Sequence, residues 1–177
     1  FYDTSLALLF LIKGRAPILL NKAQFDGDWD MHPRDAANLA AYVGTLKEQR
    51  INWQIIHLDV PVAEWHDAPI LYISAESPPK LSDDQRKKLR EFTDSGGTIL
   101  FEASCGNQAV ITAWKAACKA IWPEWELRIT DKDHPLWTAD QPITNRPASL
   151  MEASDGVRSF LFFSMADLSC AWHTMGV

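Results

Sequence analysis

The 177-residue sequence has only three cysteines, Cys105, Cys118 and Cys170. They are too few and too scattered for a disulfide framework or a zinc site of the CxxC type, and at most one bridge could join two of them. No apolar run approaches the ~20 residues that a membrane helix needs, since Leu6 to Ile12 stops after seven. Membrane association of the domain itself is therefore not expected. Positive charge is the minority sign, with 17 Lys and Arg against 23 Asp and Glu and a net charge of -6. That balance leaves no electrostatic footprint for nucleic acid, and the cluster Arg86, Lys87, Lys88, Arg90 reads as one solvated helix face. Internal repeats, low-complexity tracts and an HExxH spacing are all missing, so no metal site is read from spacing and nothing calls for a cofactor.

What is present is a core's worth of apolar residues, 47% of the chain. At this length one α/β domain over residues 1–177 is the expectation, with 1–16 an apolar segment of undefined role. The chain opens on Phe1 and not on Met, which reads as a processed product. No basic segment or small-residue cleavage site flanks the Leu6–Ile12 run, so no signal peptide is read and cytoplasm or export stays open. Ile18 to Leu20 reads as a first strand, followed by the Asp/Gly-rich loop Asp26 to Asp30. A helix carrying Ala36, Leu39, Ala40, Val43 and Leu46 at helical spacing comes next. Trp53 to Val60 reads as a second strand, and Pro69 to Ser74 as a buried parallel one. Ser82 with Gln85 three residues on forms a capping-box signature for a helix that ends before Gly96. Thr98 to Phe101 is the fourth strand, a helix runs on to Pro123, and Glu126 to Thr130 is a fifth strand. Residues 138–157 read as a long surface loop, and Ser159 to Met165 as a last strand. Such alternation argues for a mainly parallel sheet in a three-layer α/β/α sandwich.

The stretch Ser95 to Val110, SGGTILFEASCGNQAV, joins a strand to a helix through a small-residue turn, the place where open α/β sheets hold ligands. Ser104 or Cys105 on that turn, with Gly106 and the amides of a helix start behind it, has the ingredients of a nucleophile. His134 and His173, both after predicted strands on the same rim, are the candidate bases. The plainer reading makes Ser104 and Asn107 helix caps and Cys105 a small buried residue. A metal reading gathers Asp28, Asp30, Glu76, Glu102, Asp133 and His134 around one crevice as oxygen ligands with one imidazole. Against it, Asp28, Asp30 and Asp133 also suit Asx turns and caps. A binding reading uses Trp29, Trp137 and Trp172 as walls beside Asp167 and the polar residues just named, for a sugar-like or peptide-like ligand. Core packing is the alternative for these rings.

The order GDWD, APILYISAESPPKLSDDQRKKLREFTDSGGTILFEASCGN, DHPLW and DLSCAW resembles the bacterial family called domain of unknown function 4159, over roughly residues 17 to 173. The helix-GG-strand portion is also similar to trehalose-utilisation-like proteins and, more distantly, to the class I glutamine amidotransferase-like superfamily. The resemblance implies a flavodoxin-like sheet. It also implies an elbow of the form G-x-C-x-G-x-Q, which places Ser104 at the nucleophile position and Cys105 one residue later. Gly106 and Gln108 match, while Glu102 stands for the first glycine and Ser104 for the cysteine. The expected function is a module without glutaminase activity that binds a small ligand or a protein partner, or acts as a scaffold. One alternative is a hydrolase-type enzyme with Ser104 or Cys105 as nucleophile and His134 or His173 as base. Another is a divalent-metal site on Asp28, Asp30, Glu102 and His134.

Overall fold

The computed structural model describes residues 3–6, 8, 16–144, 146 and 149–174. The Leu6–Ile12 run lies largely outside them. Seven strands form one sheet in the order β2-β1-β3-β4-β7-β6-β5. The strands β1 (Ile18–Gln24), β2 (Asn52–His57), β3 (Ile70–Ala75), β4 (Thr98–Ala103) and β7 (Ser159–Ser164) run parallel. The other two, β6 (Leu150–Ser154) and the two-residue β5 (Arg128–Ile129), add an antiparallel edge. The five parallel strands follow the flavodoxin-like order, whose ligand crevice opens past the carboxyl ends of β1 and β3.

Helices α2 (Val62–Trp65), α3 (Asp83–Asp94) and α4 (Gln108–Ile121) pack on one face of the sheet. Trp65, Phe92, Val110 and Trp114 enclose an apolar core there with Leu71, Ile73, Ile99, Phe101, Leu161 and Phe163. Phe101 and Trp114 stack at 3.8 Å between ring centroids. The opposite face carries α1 (Asp35–Leu46) and α5 (Ser169–Thr174), over a smaller cluster of Leu20, Ala36 and Tyr72 that Trp172 packs against. The helix α3 starts as its sequence predicts. Gln85 N donates to Ser82 Oγ at 3.1 Å and Ser82 N returns the bond to Gln85 Oε1 at 3.0 Å. Behind it, Gly97 lies under the Phe92 ring, where an added Cβ would come within 2.3 Å of the ring atoms.

Several elements differ from the sequence expectation, among them β2, which ends at His57 and not at Val60, and the unexpected helix Ser169–Thr174. The first strand continues past Leu20 to Gln24, because buried Asn21 and Lys22 find partners inside the fold. Asn21 Nδ2 donates to Trp65 O at 2.6 Å and Gln54 Nε2 donates to Asn21 Oδ1 at 2.8 Å. A one-turn helix, α2, follows Pro61 as its N-cap and separates β2 from β3. The fifth strand shrinks to Arg128–Ile129 at the sheet edge. Most of all, residues 138–157 are not one loop: Leu150–Ser154 is a strand paired with β7 through a turn at Asp155 and Gly156. Asp155 Oδ1 closes that turn by accepting from Val157 N at 2.8 Å and Arg158 N at 2.9 Å.

Candidate functional site

Beneath the carboxyl ends of β1, β3 and β4 lies a continuous chain of buried polar groups. Lys22, only 1% exposed on β1, would be costly to bury alone. Its ammonium donates to Asp30 Oδ1 at 2.6 Å, Asp35 Oδ1 at 2.7 Å and His32 O at 3.1 Å, so all three of its protons are used. Tyr72 Oη lies between Glu102 Oε1 at 2.8 Å and Asp35 Oδ2 at 3.1 Å. Burial first, then the charges of Glu102 and Asp35, push the phenol far above its ordinary value, so it stays protonated as a donor. Ser74 Oγ donates to Glu102 Oε1 at 2.9 Å and sits 2.8 Å from Ser104 Oγ. The other oxygen of Glu102 accepts from Leu168 N and Ser169 N, each at 2.9 Å. Four donors thus occupy the four lone-pair sites of Glu102 and fasten the start of α5 to β4.

Above this layer, Ser104–Gly106 makes the tight turn that the sequence marks as an elbow. Ser104 is fully buried, its hydroxyl against Ser74. The exposed residue is Cys105, whose backbone is left-handed at φ 54° and ψ 16°. That conformation is uncommon for a side chain with a Cβ, and Gly106 follows at φ 62°. In position and backbone, Cys105 and not Ser104 occupies the tip of the elbow. Cys105 N donates to Asp167 Oδ2 at 2.8 Å, and Cys170 N donates to Asp167 Oδ1 at 2.8 Å. Partial burial raises the Asp167 carboxyl, but the two amides, His32 and Ser169 outweigh it and hold the group below its ordinary range. The thiol of Cys105 moves the other way. Desolvation, then the charge and hydrogen bond of Asp167, then the charge of Glu76, raise it. Asn107 caps α4, accepting from Ala109 N at 2.9 Å, and its Nδ2 reaches Glu76 O at 2.8 Å.

The candidate bases separate. His134 turns away from the rim. Its Nδ1 accepts from Leu136 N at 3.1 Å, while Nε2 faces Glu152 Oε2 at 3.0 Å and Ser159 Oγ at 3.1 Å. Ser159 begins β7, five residues and about 17 Å before the rim residue Ser164. With both nitrogens committed there, His134 serves neither Ser104 nor Cys105, contrary to its expected place on the rim. His173 lies over α1, where its Nδ1 accepts from Arg34 N at 3.4 Å, and its ring stands 5.5 Å from that of His32.

The oxygen ligands do not converge either. Asp30 holds Lys22, Glu102 is saturated, Asp133 is exposed with its amide donating to Asp131 Oδ1, and Asp28 is exposed with its carbonyl accepting from Glu76 N. Among the aromatic walls, Trp29 borders the rim, with Lys22 Nζ 5.9 Å from its ring centroid. Trp137 is buried at the other edge with its Nε1 donating to Asp131 O at 2.7 Å, and Trp172 packs on Tyr72 at 5.6 Å. A cleft of about 510 Å³ opens elsewhere, between the end of α4 and β6, lined by Cys118, Trp122, Trp125 and Met151.

The residues that the rim does bring together were only partly visible beforehand. His32, Asp167 and Cys170 each offer a ligand atom, all within 4.8 Å of one another. Ser169 Oγ donates to Asp167 Oδ1 at 3.2 Å and lies 2.9 Å from His32 Nδ1. Lys22, Asp35, Tyr72 and Ser74 were not singled out at all. Lys22 falls two residues past the apolar run Ile18–Leu20 read as the first strand, so the run itself carries no signal for it.

Sheet order, helical layers and a cysteine-tipped turn at the rim define a flavodoxin-like α/β domain with an altered elbow. The chain belongs to the DUF4159 family, a domain of unknown function whose family profile matches residues 18–177. Among solved structures, a ThuA-like protein from Bacteroides uniformis is similar at 11% identity, covering 85% of this chain and 82% of that one with a TM-score of 0.45. No curated protein matches the chain. Among the described residues no helix is long and apolar enough to cross a membrane.

Proposed function

We propose that this domain binds a small ligand at the rim formed by Cys105, Asp167, Cys170 and His32, and lacks glutaminase-type thiol chemistry. The observation that carries the reading is the partner of the elbow. Cys105 is exposed on a left-handed backbone, yet the side chain beside it is the carboxylate of Asp167 and not an imidazole. A nucleophilic thiol needs a cation or a base to favour its thiolate, and a carboxylate favours the thiol. The saturated network under the rim supports a binding role, because it fixes the loops from β1, β4 and β7 without leaving a buried group free to shuttle protons. The competing hydrolase reading draws on the strained, exposed position of Cys105, with His32 or His173 left as the only rim imidazoles among the described residues.

Two measurements on the full chain test this. Release of ammonia from glutamine should not rise above background, and neutral saccharides or short amides that bind should slow alkylation of Cys105, read by peptide mass spectrometry. Ammonia release that disappears in Cys105→Ser would overturn the reading.

A further inference from the structure

The rim holds a ligand set of its own. His32 comes from the loop after β1, Asp167 from the turn after β7 and Cys170 from the first turn of α5, and none of them belongs to the metal set expected from sequence. Their ligand atoms lie within 4.8 Å of one another. Around a zinc-sized ion with bonds of about 2.0–2.3 Å, ligand atoms stand roughly 3.3–3.8 Å apart, so side-chain rotation of about 1 Å closes the set. The surroundings are those that hold ligands in place. Ser169, fully buried, bridges Asp167 Oδ1 and His32 Nδ1. With its proton given to Asp167, the hydroxyl can accept from Nδ1–H, which leaves the lone pair on Nε2. Asp167 Oδ1 is steadied by the Cys170 amide and the Ser169 hydroxyl, while Oδ2 takes only the Cys105 amide among backbone groups and keeps a lone pair for the ion. Those two amides also anchor both cysteines around a single carboxylate.

We propose that His32, Asp167 and Cys170 form a binding site for a borderline divalent cation of the zinc class, with Cys105, across the same carboxylate, as the fourth ligand. One imidazole, one carboxylate and thiolate sulfur select zinc-like ions over magnesium or calcium, which prefer oxygen alone. The exposed Cys170 gives the ion a path from solvent. This deepens the binding reading above, since the ion itself is then a rim ligand.

The test uses the full chain, stripped with chelator and kept reduced by a phosphine, titrated with Co²⁺ and then Zn²⁺ in an absorption spectrometer. One equivalent of Co²⁺ should give a sulfur-to-cobalt charge-transfer band and strong tetrahedral visible bands, both bleached by Zn²⁺. His32→Ala and Cys170→Ser should each weaken Zn²⁺ binding at least about tenfold, the smaller loss seen when even an outer partner is removed. Cys118→Ser, a buried cysteine on α4, should leave the spectrum unchanged. The wild-type spectrum decides even if a variant does not fold. A charge-transfer band that survives Cys170→Ser and is lost in Cys118→Ser overturns the assignment. A silent cobalt spectrum with organic ligands still protecting Cys105 overturns the ion alone, whereas a silent spectrum with no protection by any ligand overturns the binding reading as well.

Discussion

Glu102 and Glu152 are both strand carboxylates with no solvent exposure, and strand pairing through β7 puts them on the same face of the sheet. At the rim, Glu102 receives two hydroxyls and two amides and ties β3, β4 and α5 into one unit. At the antiparallel edge, only Oε2 of Glu152 is well served, by Ser159 Oγ at 2.6 Å and His134 Nε2 at 3.0 Å. Its Oε1 is buried without a hydrogen bond, the nearest cation being the exposed Arg128 at 3.4 Å, beyond good geometry. The same residue type at the same depth therefore does two jobs. One carboxylate is a junction that fixes functional loops, and the other is a half-used tether for the loop that carries His134.

The largest expected effect comes from breaking the junction. Glu102→Gln keeps the size and can leave its carbonyl oxygen on the amides of Leu168 and Ser169. Its new amide group then faces the Tyr72 and Ser74 hydroxyls, which must turn to accept by giving their protons to Asp35 and Ser104. Loss of the charge-assisted bonds and re-aiming of both hydroxyls in this buried site should cost about 1.5–3 kcal/mol. Denaturant midpoints should fall accordingly. A loss below about 1 kcal/mol would show that the four bonds of Glu102 contribute far less than their geometry indicates.

Much of this fold was legible in the chain because its signals are local. The capping box at Ser82 and Gln85, the buried run Pro69 to Ser74 and the Gly96–Gly97 break each depend on neighbours a few residues away. The rim network was not legible, because its bonds join residues far apart: Lys22 to Asp35, Tyr72 to Glu102, and Glu102 to Ser169. No period or spacing encodes such pairs. The elbow stood between these cases. Its small-residue turn was readable, but which of Ser104 and Cys105 faces solvent depends on the backbone turning left-handed at Cys105, which a one-residue shift in motif alignment obscures. β6 was hidden because five strand residues sit inside a polar stretch, although the Asp155-Gly156 turn beside it was a usable hairpin signal. Losing β6 from the expectation also cost the partner of His134, since Glu152 lies on it.

The same exchange at the edge should do little. In Glu152→Gln the carbonyl oxygen can keep the Oε2 position against Ser159 and His134. The new amide group then falls where Oε1 had no bond, next to an Arg128 side chain that can swing into water. Loss of charge-assisted bonds is offset by relief of a buried charge, so the midpoint should move by less than about 1 kcal/mol in either direction. A loss matching that of Glu102→Gln would erase the contrast and make Glu152 a second junction.

The smallest effect tests how the edge is held from outside. Asp155, fully solvated at the β6–β7 turn, has its carboxyl below the ordinary value, chiefly through the amides of Arg158 and Val157. Its folded value thus lies under the unfolded one of about 3.9, and the folded state holds fewer protons across that interval. The turn's contribution is complete above the unfolded value and disappears as pH falls through the lower folded one. Asp155→Asn keeps an acceptor for both amides but cannot titrate. Hydrogen exchange of the β6 amides, followed from about pH 5 downward and corrected for intrinsic rates, should show wild-type protection dropping more steeply than in Asp155→Asn. The amides of β3, which sit among the junction's bonds, should show no such difference between the two proteins. Equal slopes at β6 would mean that the antiparallel pairing with β7, and not the turn, keeps this edge in place.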